Sequence, residues 1–362
     1  MEEGRISSSQ LSLLAISYLI GTTFLLSPGS QAKQGTWLAI LIGLGEALIP
    51  VLIFTTLAKR FAGKSLMEIN DLVWGKILGK LFSLVFLWYI FHLGSASFAI
   101  FVTLFKTTVL IATPEVILLI SGLLSGIYVS KKGIEVIART NEVLILITVL
   151  WLIFGFLLVL NIFNTNNLFP VIEVPITRLL WAAQESSSLF GQTIVFMMIF
   201  PYLNRRKSCT GAIIKGLVVA AILLMSSAVR TTGVLGKISE SYIFPNYKTD
   251  RLIDIGSTLT RLEILPVLNF LTMGFIKASV SLYVTSLGTA QLFKLRTYRP
   301  VVIPLGILMI IAATQNYPDI SSHLRFVENI LPIYAFPVQI IFPLITLLLA
   351  IIRRLPCQGE NQ

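Results

Sequence analysis

Charge is what this chain of 362 residues has least of: only 12% of them are Asp, Glu, Lys or Arg, about half the share that clothes a soluble globular protein. A soluble surface is therefore excluded. Histidine is almost missing, with His92 and His323 alone, and the two cysteines, Cys209 and Cys357, lie far apart. No serine has a His and an acid in motif context, so nucleophilic triads are not expected. Two thiols make no metal site, and we expect no catalytic residue, no metal and no cofactor. The glycines of LIGLGEAL fall inside a helical pattern and read as packing glycines rather than a phosphate loop. Period-two alternation is absent, which excludes a membrane barrel. The opening MEEGRISSSQ lacks a small-residue cleavage site ahead of its long apolar run, so a retained first span is expected rather than a signal peptide.

What the chain has is hydrophobicity, 55% of residues, arranged in runs of roughly the 20 residues that cross a bilayer as a helix. Ten spans are predicted at about 10–33, 36–58, 81–110, 114–130, 134–162, 178–203, 211–236, 265–293, 300–316 and 331–352. Together they form a single transmembrane domain over 1–362. The net charge of +11 fits membrane orientation rather than nucleic acid. With the N-terminus in the cytoplasm, about 18 of the 28 Lys and Arg fall on the inner side, as the positive-inside rule requires. Both termini and both cysteines are then cytoplasmic, where thiols stay reduced and no disulfide is expected. The segment from Lys237 to Arg261 is predicted to be an ordered outer loop with a short helix. Arg230, near the outer end of the seventh span, is expected to snorkel to the headgroups.

Two spans are interrupted at matching places. In the first, YLIGTTFLLSPG, Gly21, Thr22 and Thr23 and then Ser27, Pro28 and Gly29 weaken the helix. In the sixth, AAQESSSLFGQ places Ser186, Ser187, Ser188, Gly191 and Gln192 mid-membrane. Paired interruptions of this kind mark transporters built from an inverted five-helix repeat, here 10–163 and 178–352. Backbone groups freed in hydrocarbon need partners, and an amino acid presents both an ammonium and a carboxylate to them. The expected ligand contacts are Gly21, Thr22, Thr23, Ser187, Ser188 and Gly191, with Phe24 and Phe190 against the ligand's side chain. Ionisable groups inside a membrane are functional candidates by default. Lys277 is the most telling, because a buried ammonium demands a partner, for which Glu46 or Glu185 is available. His92 and both glutamates are candidates for a charge relay.

The stretches ISSSQLSLLAISYLIGTTFLLSPG, SSSLFGQTIVFMMIFPYLN and RLEILPVLNFLTMGFIKASVSLYVTSLGTAQLF resemble the permease-like B subunits of bacterial spore germinant receptors, within the amino acid–polyamine–organocation transporter superfamily. The resemblance implies an all-helical, leucine-transporter-like 5+5 inverted repeat with discontinuous helices 1 and 6. It implies a pocket for a small nutrient germinant, with Ser97 on the third-span wall and Lys277 to Ser281 on the eighth. It also implies an A-type membrane subunit and a C-type lipoprotein as partners, in the inner membrane of a spore. Where many relatives carry Gly-Glu in the sixth span, this chain has Gly191-Gln192, whose amide exchanges no proton.

Overall fold

The computed structural model describes residues 4–108, 110, 112–205, 208–253, 264–317 and 319–355, with side chains at 24–26 and 264–266 excluded. Cys357 lies outside these residues, and Cys209 is buried and free.

The helices are α1 (Ser8–Leu26), α2 (Thr36–Arg60), α3 (Leu66–Thr108), α4 (Glu115–Lys132), α5 (Ile134–Leu158), α6 (Ile176–Phe190) and α7 (Cys209–Leu235). They are followed by α8 (Pro245–Arg251), α9 (Ile264–Leu292), α10 (Arg299–Asn316) and α11 (Ile320–Ile352). Among the described residues, seven helical stretches are long and apolar enough to cross a membrane. The three expected spans outside that set are α1, α4 and α6. α4 carries Glu115, Lys131 and Lys132 at its ends, and α6 holds Glu185 and three serines in 15 residues; in α1 the side chains at 24–26 lie outside the described residues.

The start of α1 is written in SSSQ. Ser7 Oγ accepts from the Gln10 amide at 3.1 Å and the Gln10 side chain accepts from the Ser7 amide at 2.8 Å, a capping box that satisfies two helix-end donors. Ahead of it, the Ile6 amide donates to Tyr202 O and the Asn204 amide donates to Ile6 O, each at 3.0 Å. These bonds tie the N-terminal segment to the chain leaving the sixth span.

The first span is discontinuous, but its interruption falls later than the sequence suggests. Gly21, Thr22 and Thr23 stay helical, because each amide still finds its carbonyl four residues back and Thr23 Oγ1 bonds Leu19 O. The helix stops at Ser27, and the chain turns through Gly29 at φ 75°, a left-handed conformation that glycine adopts without strain. A short 3-10 segment, Ser30–Gly35, then leads into α2. The sixth span changes where expected: α6 ends at Phe190 and the chain tightens into a 3-10 helix over Gly191–Met198.

Two further spans are longer than predicted. α3 begins at Leu66 rather than 81 and bends at Gly75. α11 begins at Ile320 rather than 331 and contains two π-helical turns, Phe326–Ile330 and Pro337–Ile341. Polar residues at its start, from Ser321 to Glu328, hid this portion from a hydropathy reading.

The packing repeats itself. α1 packs on α7 as α6 packs on α2; α4 on α9 as α10 on α3; α1 on α5 as α6 on α11; and α3 meets α9 at the centre. Pairing spans 1 to 5 with spans 6 to 10 maps these contacts onto one another, the pattern of a five-helix unit used twice. The predicted short helix between α7 and α9 is α8. Asn246 on it receives bonds from Ser227 at 2.8 Å and from Thr231, and its Nδ2 donates to Ser27 Oγ at 3.1 Å. One residue thus joins α7, α8 and the break in α1. Arg230 does not snorkel: it is 2% exposed and pairs at 2.6 Å with Asp250, 0% exposed. The α8 helix brings a carboxylate to it before the headgroups can.

Candidate functional site

The two breaks and the central α3–α9 pair enclose one buried cavity. Thr22 and Thr23 of α1, Ser97 of α3, Glu185 of α6, Lys277 of α9 and His323 of α11 all line it. Its free volume is about 30 Å³, room for about two waters. This conformation is closed around the site. On the far side of the π turn Phe326–Ile330 lies a wider vestibule of about 410 Å³, lined by Lys33, Arg178, Glu240 and Glu328. Lys33 and Glu240 pair there at 3.4 Å. The π turn is the partition, since Phe326 and Val327 face the closed cavity and Glu328 and Asn329 the vestibule.

Lys277 is 3% exposed. Its ammonium donates to Thr22 Oγ1 at 2.9 Å and lies 5.3 Å from the centre of the Tyr18 ring, whose negative face attracts a cation. Tyr18 is held in turn by Ser281, oxygen to oxygen at 3.2 Å. No carboxylate among the described residues lies within 4 Å of Lys277. The expected ion pair with Glu46 or Glu185 is therefore not made. Glu46 on α2 is half-buried and outside the cavity lining. Glu185 does line the cavity, 2% exposed, beside Gly29 at the break that follows α1. Its Oε2 has no partner, and neither has Gln192 Oε1 in the same wall.

The remaining expected contacts sit behind the lining. Gly21 lets α1 approach α9 closely: a Cβ there would stand 2.8 Å from Met273 O and 3.1 Å from Lys277 Cβ. Ser187 and Ser188 are buried, with Ser188 Oγ turned back to Glu185 O at 2.7 Å. Phe190 is buried in the core, and the Phe24 side chain lies outside the described residues. Gly191 abuts Gln339, whose amide overlaps the place a Cβ would take. Gln339 was invisible to sequence reasoning. It comes from the second π turn of α11, donates to Ser188 O at 2.7 Å and to Tyr89 Oη at 2.7 Å, and so satisfies the carbonyl that the sixth-span break exposes. A polar amide in an apolar tenth span was the only signal.

His92 is placed beside the cavity rather than in it. Its Nε2 meets Tyr317 Oη at 2.8 Å, inside a cluster of Tyr317, Phe326 and Tyr334 rings. The His323 ring also meets Tyr317, tilted at 58° with centroids 4.5 Å apart.

Against known proteins, residues 5–320 match the family described as "Spore germination protein". The chain belongs to the spore germination protein family. Similar members from Bacillus subtilis (strain 168) include spore germination protein KB, 30% identical over 100% of this chain and 99% of its own length. Spore germination protein YndE is 24% identical, covering 99% and 98%. Spore germination protein B2 is 22% identical, covering 99% of each. The fold of this family member is that of leucine-transporter-like carriers. A Na⁺-coupled sialic acid symporter in a substrate-bound outward-open state aligns with a TM-score of 0.70 at 12% identity, covering 94% of this chain and 78% of its own. The nucleobase-cation-symport-1 transporter Mhp1, closed on bromovinylhydantoin, aligns with a TM-score of 0.62 at 14% identity, covering 90% and 75%. The spore germination chain is thus a multi-pass, all-helical membrane protein on a transporter scaffold.

Proposed function

We propose that this protein is the membrane subunit of a nutrient germinant receptor: it binds a small germinant, an amino acid, in the cavity between its two broken helices. Occupancy then shifts the equilibrium between conformations, and an A-type membrane subunit and a C-type lipoprotein read the change. The observation that carries this reading is a buried cavity at the helix breaks of a spore germination family chain, largely apolar but with the Lys277 amine and the Glu185 carboxyl in its walls and neither spent on the other. The setting is the inner membrane of the spore, both termini in the cytoplasm, with 10–163 and 178–352 as the two repeats. The ligand-facing residues are Thr22, Thr23, Ser97, Glu185 and Lys277, backed by Gly21, Phe190, Gly191 and Ser281.

The competing reading is a coupled permease, since the fold is shared with transporters and fold does not decide function. A transporter needs only its own alternating access. We expect the purified chain in liposomes to show no gradient-driven uptake of a labelled amino acid. We expect deletion of the A-type partner to remove the nutrient response while this chain stays folded. Concentrative uptake by the isolated chain, with an unchanged response in the absence of partners, overturns the receptor reading.

A further inference from the structure

A carboxyl group and an amine face the closed cavity, and the protein keeps them apart. Glu185 and Lys277 are 2% and 3% exposed; both line the same void and do not pair within 4 Å. A buried charge without a counter-charge is costly, and joining the two across the cavity would relieve both costs at once. Lys277 instead holds a neutral hydroxyl and a ring face, and Glu185 keeps one oxygen open.

Several of the main-chain groups expected to meet a ligand's charged ends are already used. Ser188 O is taken by Gln339, and the amides of Gly21 to Thr23 remain inside the α1 helix. Charge recognition is left to side chains. Leu93, Leu189, Phe326 and Leu331 supply an apolar wall beside them.

We propose that the ligand is a zwitterion held end to end, its carboxylate on the Lys277 ammonium and its cationic nitrogen on the Glu185 carboxylate. Ligand and protein then form one alternating row of four charges, each with an opposite neighbour, and a sugar or nucleoside leaves both protein charges bare. The inference rests on the reading that this cavity is the ligand site. Because the void is only about 30 Å³ as it stands, a zwitterion requires its wall to move. The π turn Phe326–Ile330 is the part that separates it from the vestibule.

The test uses spores whose only functional receptor contains this chain, with its abundance followed by immunoblot. Each standard L-amino acid is scored for the concentration giving a half-maximal germination rate. The active one is compared with its C-terminal amide, which lacks the carboxylate, and its α-hydroxy acid, which lacks the ammonium. We expect both analogues to be at least tenfold weaker on the natural chain. Lys277→Met should erase the preference for the acid over the amide, and the isosteric Glu185→Gln the preference for amine over hydroxyl. If either variant is silent at normal abundance, the charge-keeping Lys277→Arg or Glu185→Asp should restore a response; silence of these as well counts against the proposal. Unchanged discrimination in the variants overturns it. A response to glucose or inosine alone, abolished by Ser97→Phe, sinks the zwitterion and keeps the cavity. A response that survives Ser97→Phe sinks the cavity reading too.

Discussion

Removing one member of the Arg230–Asp250 pair is the sharpest test of how the outer connection is held. The pair is buried on both sides and separated by 2.6 Å, yet incompletely satisfied: Arg230 Nε and Nη2 and Asp250 Oδ2 have no partner. Such a pair adds little over a well-packed apolar replacement, whereas stripping one partner away costs about 3–5 kcal/mol. The two single losses should differ. In Asp250→Asn no carboxyl remains to take up a proton, so the full cost of about 3–5 kcal/mol applies, about two to four powers of ten in the folding equilibrium. In Arg230→Met the carboxylate can take up a proton. Burial already raises the Asp250 carboxyl above its ordinary value, against the opposing pull of Arg230. Without Arg230 that value rises further, so the variant regains stability at acid pH and loses it as pH rises through the folded-state value. The double change Arg230→Met with Asp250→Leu should recover to within about 1–2 kcal/mol of the parent. Reversible unfolding of the purified chain in mixed micelles with increasing dodecyl sulfate, read by tryptophan fluorescence across pH, supplies these values. Single losses that cost under about 1 kcal/mol, or that show no asymmetry with pH, would refute the reasoning.

Gly191→Ala should reduce folded protein, because a Cβ would overlap the Gln339 amide; overpacking of this kind costs about 1–3 kcal/mol, and adding Gln339→Ala should return abundance toward normal. Gly21→Leu should abolish the nutrient response and lower abundance together, since it drives α1 off α9 at Met273 and Lys277; normal abundance with normal response would remove Gly21 from the site. The Lys277 side chain bridges α1 and α9, and a protein ammonium there would make a bound metal cation unnecessary, so the response should persist when choline replaces external sodium. Loss of the response in choline, with a non-nutrient trigger still effective, would contradict that role. Lys277→Met should then change signalling more than abundance.

The features legible in the sequence are those that act within a few residues. Apolar runs of bilayer length announced the spans, and Ser-Pro-Gly at 27–29 and Gly191 marked where helices 1 and 6 give way. Residue patterns were sufficient for the family and fold. The same local logic misplaced the first break, because Gly21, Thr22 and Thr23 are weak helix formers in isolation but are held helical here. Only the tertiary structure decided partners. Lys277 meets Thr22 across 255 residues, Gln339 reaches Ser188 across 151, and Arg230 finds Asp250 on a separate helix. Which side chains meet is set by how helices distant in the chain lie against one another, and hydropathy, which counts residues along one helix, carries no term for that.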